Sequence, residues 1–486
     1  MGIQLYSHLK HIKVPGSAWL SSRHDYIYRD KFLDNLPLFR WPNGRPCHLA
    51  NQWMMHISSG TKAQDTARVY ASLITHLIRY CFVNKIDIFD FTDDHFYRFT
   101  QCLKNNKKRY SAVKGELIGR NHIRAVQIRC LYFLVWASKK FGNLYDNCLI
   151  GTEEQSPSIV IKCKVNRYTG RLDIFHPDLV ESEPYKDDKS VITEAAIRDI
   201  QNTIYSMSLS KQNCLRLSPD LQEPCDEFQT ICEYLYERRM FTVRMMKLTG
   251  LRPEELVDIP LDLNNDVLST LNICIPTKKQ GVPAPIRKFR ITLRSALDFN
   301  RYLRARSKHV QLLMSCGKLT CQSNSILLTD DGRPLAKQSL TREFARICER
   351  ADFIDLRTCL SMFRHRFITR EIHTLLLLRF EKDPSLKITW TEGLRDDVCF
   401  LVIQKTGHKQ ISSLYDYFHD EYDLLTGRSD RASAMTQRDR LDAAQETLVD
   451  MRFKNNLVRD SSVEQRIQNL ESEVEFLYKK IYGVDE

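Results

Sequence analysis

The stretch Thr249 to Leu256, TGLRPEEL, has to stop one helix and start another with a single arginine between them. Glycine ends helices because it takes the left-handed conformation without steric cost. Proline suits a helix's first turn, where its missing N–H is not needed. Gly250 and Pro253 therefore fix Arg252 by backbone on both sides, and Glu255, one turn on, is placed to brace the guanidinium with a charge-assisted hydrogen bond. A second such break lies at Lys405 to His419, KTGHKQISSLYDYFH. Gly407 ends a helix and Ile411, Ser412 and Ser413 begin another, so His408 and Tyr417 come from successive short elements facing one pocket. Taken singly, the first motif reads as a surface salt bridge and the second as an aromatic helix face shared with Tyr415, Phe418 and Tyr422.

Between the two breaks, Leu271–Ile275 and Arg287–Leu293 read as strands joined by PTKKQGVPAP, a hairpin with Lys278 and Lys279 at its lip. A lysine there can hand a proton to a leaving alkoxide once neighbouring cations tune it. Ser325–Leu328 reads as a further short strand, and a helix follows from about Ser339 to Arg350. The segment Leu360–Ile372, LSMFRHRFITREI, puts Phe363, Phe367 and Ile368 on a buried helix face, with Arg364 and Ser361 one turn apart. An arginine on a buried face needs an anionic partner.

Upstream, Pro15, Pro37, Pro42 and Pro46 make the first 45 or so residues extended or turn-rich. From Asn51 the pattern is helical. Asp65 is a candidate N-cap for a helix bearing Tyr70, Leu73, Leu77 and Cys81 at three-to-four spacing. Another helix follows Thr92-Asp93-Asp94, and the strongest runs from Asn121 to Lys140. Lys107, Lys108 and Arg109, in the loop KNNKKRY, together with Arg120 and Arg124, form a basic set of the kind that tracks a phosphate backbone, although a solvated charge run looks the same. Ile159–Cys163 and Leu172–Phe175 suggest a hairpin before a linker, ESEPYKDDK, that places a domain boundary near Lys186.

The chain has 486 residues, enough for roughly three domains at about 150 residues each. Its 72 Lys+Arg against 60 Asp+Glu give a net charge of +12, which favours a polyanionic partner such as nucleic acid. Fifteen cysteines, an odd number with no CxxC, indicate neither a disulfide framework nor a zinc site. Reduced thiols and a cytoplasmic setting are the expectation. The run of leucines Leu375–Leu378 is far too short to span a bilayer, so no membrane association is expected.

TGLRPEEL, the hairpin lysine, SMFRHRF, TGHK and the tyrosine that follows resemble, in that order, the boxes of the tyrosine recombinases, or phage-integrase family. By that resemblance Arg252 is the first catalytic arginine, Lys278 the hairpin lysine, Arg364 the second arginine, His408 the histidine and Tyr417 the nucleophile. One departure stands out, because the family usually has a histidine three residues before the second arginine and this chain has Ser361. Serine can hydrogen-bond a phosphate but cannot titrate near neutrality. His365 matches a common structural histidine of the motif, which leaves His408 as the only catalytic imidazole expected.

The resemblance implies an all-α core-binding domain (46–150), a connection with a possible hairpin (151–186) and a mainly α, α+β catalytic domain with a small hairpin sheet (187–426). An N-terminal arm or leader (1–45) and a helical tail (427–486) flank them. In the tail, Val463, Ile467, Leu470, Val474, Leu477 and Ile481 form a heptad seam that suits either a coiled coil or docking on the chain's own catalytic domain. The implied chemistry is a site-specific recombinase or integrase of a mobile element. Tyr417 attacks a DNA phosphate, forms a 3′-phosphotyrosyl link and releases a 5′-hydroxyl, with neither metal nor cofactor. The expected partners are double-stranded attachment sites, further copies of the chain as a dimer to tetramer on DNA, and helper proteins of the element. The expected setting is bacterial, at the nucleoid when DNA is bound. The same boxes also fit a type IB topoisomerase, a telomere resolvase or a DNA-binding accessory protein with impaired catalysis.

Overall fold

The computed structural model describes residues 4–20, 26–33, 35–59, 64–107, 117–142, 148–165, 172–183, 191–209, 226–278, 280, 283–353, 359–426, 441, 444–445, 447–449, 451–452 and 461–482. The protein is mostly helical with small two-stranded sheets, and it divides into two compact units, Met1–Lys186 and Asp187–Glu486.

In the first unit, four helices share one core: His48–Ser59, Gln64–Val83, Asp93–Lys104 and Arg120–Phe141. Asp65 lies inside the second of these, whose first residue is Gln64, and so does not precede it as a cap. Thr92 does cap the third, its hydroxyl accepting from the His95 amide. The strands Tyr6–Leu9 and Leu36–Phe39 pair antiparallel, and Ile12–Leu20 pairs with Tyr26–Leu33. Leu5, Val14, Leu33, Leu36 and Phe39 from this N-terminal stretch are buried in the same core. These residues therefore pack as part of the unit, where an arm or leader would hang free.

The hairpin expected at Ile159–Cys163 forms one step later. Lys162–Val165 pairs antiparallel with Leu172–Phe175, while Ile159–Val160 pairs in parallel with Ile150–Gly151. A buried amide ties the segment after this hairpin to the helices. Gln127 donates to Thr100 Oγ1 and the Asp178 carbonyl, each at 2.8 Å, and accepts from the Val180 amide at 2.9 Å. Every polar atom of that fully buried side chain is thereby satisfied, the condition for burying it without a large penalty.

The second unit is built round Asp226–Thr249 and Leu293–Ser315, with Glu194–Leu209, Lys337–Arg350 and Leu360–Lys382 packed about them. Thr193 caps Glu194–Leu209 by accepting from the Ala196 amide at 3.1 Å. The hairpin strands are Asn272–Pro276 and Ile286–Arg290, in antiparallel register from Ile286 opposite Pro276 to Arg290 opposite Asn272. Ser325–Leu328, expected as a strand, makes only isolated bridges from Ser325 to Pro260 and from Leu328 to Pro334. Its buried carbonyls are satisfied by side chains instead. Tyr302 and Arg306 donate to Ile326 O, while Tyr234 and Arg238 donate to Leu328 O, so this stretch is held without a ladder.

The far end of Leu360–Lys382 joins Glu392–Thr406 and Tyr415–Leu425 in a smaller core of Ile372, Leu376, Val398, Val402, Leu414, Phe418 and Tyr422. In the tail, the helix Ser461–Tyr482 lays Ile467, Leu470 and Val474 against Leu448 and Met451, and Arg452 reaches Glu471 at 2.5 Å. Part of the heptad seam is thus covered from within the chain. Among the described residues no helix is long and apolar enough to cross a membrane.

Candidate active site

Both helix breaks foreseen in the sequence form, and one side chain joins them. Gly250 and Gly407 have φ of +58° and +65°. A Cβ at Gly250 would lie 2.7 Å from the Phe367 ring, and one at Gly407 would lie 2.5 Å from Thr277 Cγ2. Each turn therefore excludes a side chain by conformation and by space at once. Arg364, buried on the Leu360–Lys382 helix, donates to Gly250 O at 2.9 Å and to Thr406 O at 2.8 Å. Its guanidinium closes the C-terminal ends of two helices, where unpaired carbonyls favour a cation.

The same Nη2 lies 3.2 Å from His408 Nε2. His408 Nδ1 lies 2.8 Å from Thr406 Oγ1, whose own proton goes to Val402 O at 2.8 Å. The threonine oxygen must then accept from the imidazole, so Nδ1 carries the hydrogen and Nε2 receives the arginine. His408 is accordingly a neutral ring, with its pKa lowered to about 3 by burial first and then by Arg364 and Arg252. The same crowding brings the Arg364 guanidinium down to about 10, burial again leading and Arg252 next.

Arg252 is held as the sequence indicated. Its backbone N–H donates to Glu255 Oε2 at 3.0 Å and its Nη1 to Oε1 at 2.9 Å. Glu255 is fully buried, and it also accepts from Arg287 Nη2 at 3.0 Å and from the Lys278 amide at 3.2 Å. Burial pushes its carboxyl up, but the hydrogen bonds and charges of Arg287 and Arg252 outweigh that and hold it below the usual carboxylate range. Two guanidiniums, Arg252 and Arg287, thus pair with one carboxylate, and the charges of all three groups act on Arg364. An anion entering among them gains charge compensation that a neutral ligand does not.

Lys278 Nζ pairs with Asp258 in a half-exposed contact, and Lys279 lies outside the described residues. Ser361 is exposed, its hydroxyl 2.9 Å from Cys359 Sγ. Tyr417 is half-buried against the small C-terminal core. Its hydroxyl is hydrogen-bonded to His365 Nδ1, and the two rings stack with centroids 5.7 Å apart. His408 was expected as the only catalytic imidazole and His365 as a structural one, yet it is the His365 ring that is bonded to the candidate nucleophile. Arg364 and His365 were separable in sequence only by helix phase. Adjacent residues on a helix diverge by about 100°, so Arg364 turns inward and His365 turns towards Tyr417.

Arg287 was also missed, although strand alternation could have found it, because it shares the inward face of its strand with Phe289. The basic set of the first unit is less open than expected. Arg124 Nη1 donates to Val180 O at 2.9 Å, which ties that guanidinium to its own unit, while Arg120 and Lys107 are exposed. Lys108 and Arg109 lie outside the described residues.

No protein-family model matches the chain, and no curated protein matches it. Among solved structures it is similar to XerA recombinase, at 12% identity over 79% of this chain and 99% of that one, with a TM-score of 0.30. It is similar to a lambda integrase dimer bound to a COC′ core site, at 13% identity over 76% of each chain, TM-score 0.41. A third is XerH site-specific recombinase in a post-cleavage complex with a palindromic difH substrate, at 13% identity over 80% of this chain and 85% of that one, TM-score 0.44. These neighbours are tyrosine recombinases. At scores and identities this low they carry no weight for function, and the functional reading rests on the chain's own residues.

Proposed function

We propose that this protein is a site-specific DNA recombinase that breaks and rejoins strands through a 3′-phosphotyrosyl intermediate, integrating or excising a mobile element. The observation that supports the reading is the Arg364 guanidinium, which holds both helix breaks and His408 together one residue before His365, the ring bonded to the Tyr417 hydroxyl. Arg252 and Arg364 grip the non-bridging oxygens of a phosphodiester, on which charge grows as the pentavalent transition state forms. His408 holds Arg364 in that cradle by accepting from its Nη2, and Glu255 sets the angle of Arg252. Lys278 leaves Asp258 to protonate the departing 5′-oxygen. Tyrosine has an ordinary pKa of about 10, and the cationic surround eases loss of its proton.

Exposed Lys107 and Arg120 of the first unit serve as backbone contacts on the duplex, and the tail helix contributes to assembly of several copies on DNA. To test the reading, wild-type protein is incubated with a pool of nicked duplexes whose core is randomised, and covalent complexes that survive denaturing detergent are recovered. Two duplexes recovered in this way should exchange strands when mixed with fresh protein. Relaxation of supercoiled plasmid without exchange would instead indicate a topoisomerase, and closed hairpin ends a resolvase. Duplex binding with no covalent complex would leave a DNA-binding accessory protein.

A further inference from the structure

We propose that His365 is the general base that takes the proton from Tyr417, an inference that rests on the recombinase reading above. Three observations lead to it. The Tyr417 hydroxyl is bonded to His365 Nδ1, with the rings stacked at an interplanar angle of 21°. His408 has no lone pair to offer, since its Nδ1 hydrogen is given to Thr406 and its Nε2 accepts from Arg364. Ser361 is bonded to Cys359, and a hydroxyl is no base near neutrality. Among these three side chains only the His365 nitrogen is in contact with the proton that has to leave.

In the first half-reaction the Tyr417 oxygen forms a bond to phosphorus while the phosphorus–O5′ bond breaks. The phenolic proton passes to His365 Nδ1, giving an imidazolium, and the 5′-oxygen is protonated by Lys278. In the second half-reaction the attacking 5′-hydroxyl returns its proton to Lys278 and His365 returns one to the leaving phenolate, so both groups are restored. Nδ1 must start unprotonated, with the ring hydrogen on Nε2. The two imidazoles thus divide the work, His408 fixed as a neutral partner of Arg364 and His365 cycling a proton.

The test uses the full chain with the tyrosine at 417 either natural or fluorinated, the fluorinated phenol being the stronger acid. His365→Asn keeps a hydrogen-bonding atom near the Nδ1 position but cannot accept a proton; His365→Ala serves where asparagine disturbs folding, which thermal melting reads. On a duplex recovered by covalent capture, His365→Asn should slow single-turnover cleavage by about 10²- to 10⁴-fold with duplex binding unchanged. With fluorinated Tyr417 the gap between wild type and variant should shrink sharply, an effect that a merely positional role for the ring would not produce. A variant that cleaves at the wild-type rate, or a gap of equal size for both phenols, overturns the inference and leaves the recombinase reading standing. A wild-type chain that forms no covalent complex overturns both.

Discussion

Replacing Arg364 by alanine is expected to lower the rate of covalent DNA capture by about 10²- to 10³-fold, a loss of about 2.7–4 kcal/mol of transition-state stabilisation if the guanidinium acts as an oxyanion donor does. The same change removes the donors to Gly250 O and Thr406 O, so it also leaves two buried helix ends unpaired. The two consequences separate in Arg364→Lys. An ammonium keeps the positive charge beside the helix ends, but it cannot bond both carbonyls and a phosphate oxygen in the geometry of the planar fork. Thermal melting should therefore fall less for lysine than for alanine, while single-turnover cleavage is strongly slowed in both. A wild-type rate in either variant would remove Arg364 from the chemistry.

Glu255→Ala is expected to be the most destabilising single change at the site. Glu255 is fully buried and is the carboxylate bonded to both Arg252 and Arg287, and stripping one member from such a buried network costs about 3–5 kcal/mol. Denaturant unfolding should show that loss, with cleavage lost along with it because Arg252 is no longer held. Glu255→Gln keeps the shape and removes the charge, so its cost should be smaller and its pH dependence different. The carboxyl of the folded protein lies below its ordinary value of 4.5, so its stabilisation is fully present above that value and is lost as the pH falls below it. The glutamine variant should show a flatter acid limb. Equal acid sensitivity in both proteins would assign the limb to other groups.

The parts of the site governed by local rules were legible in the sequence. Gly250 and Pro253 around Arg252, the Glu255 brace and the Gly407 break each follow from what glycine, proline and charge-assisted hydrogen bonds do at helix ends. Facts of tertiary packing were not legible. Ser325–Leu328 has the composition of a strand, yet Tyr234, Arg238, Tyr302 and Arg306 reach its carbonyls from helices distant in sequence. Arg124 sits on a helix face that reads as open to a phosphate backbone, but the Val180 carbonyl is folded against it. His365 is the instructive case. A motif match assigns it a structural part, and only the meeting of two helices puts its Nδ1 on the Tyr417 hydroxyl.

The tail shows a similar limit. Heptad spacing asks for a partner surface along the helix without naming it, and Leu448 and Met451 supply part of that surface from within the chain. Burying an apolar side chain contributes about 1.5–3 kcal/mol wherever the partner comes from, so the pattern alone does not separate docking in cis from assembly between copies.

Protease digestion and mass spectrometry of the covalent protein–DNA complex would identify the residue that carries the phosphodiester. The proposed chemistry predicts a nucleotide remnant on Tyr417, its complete loss in Tyr417→Phe with duplex binding nearly unchanged, and its retention in Tyr415→Phe. A remnant on Tyr415 or any other residue, or a covalent complex that persists in Tyr417→Phe, would contradict it.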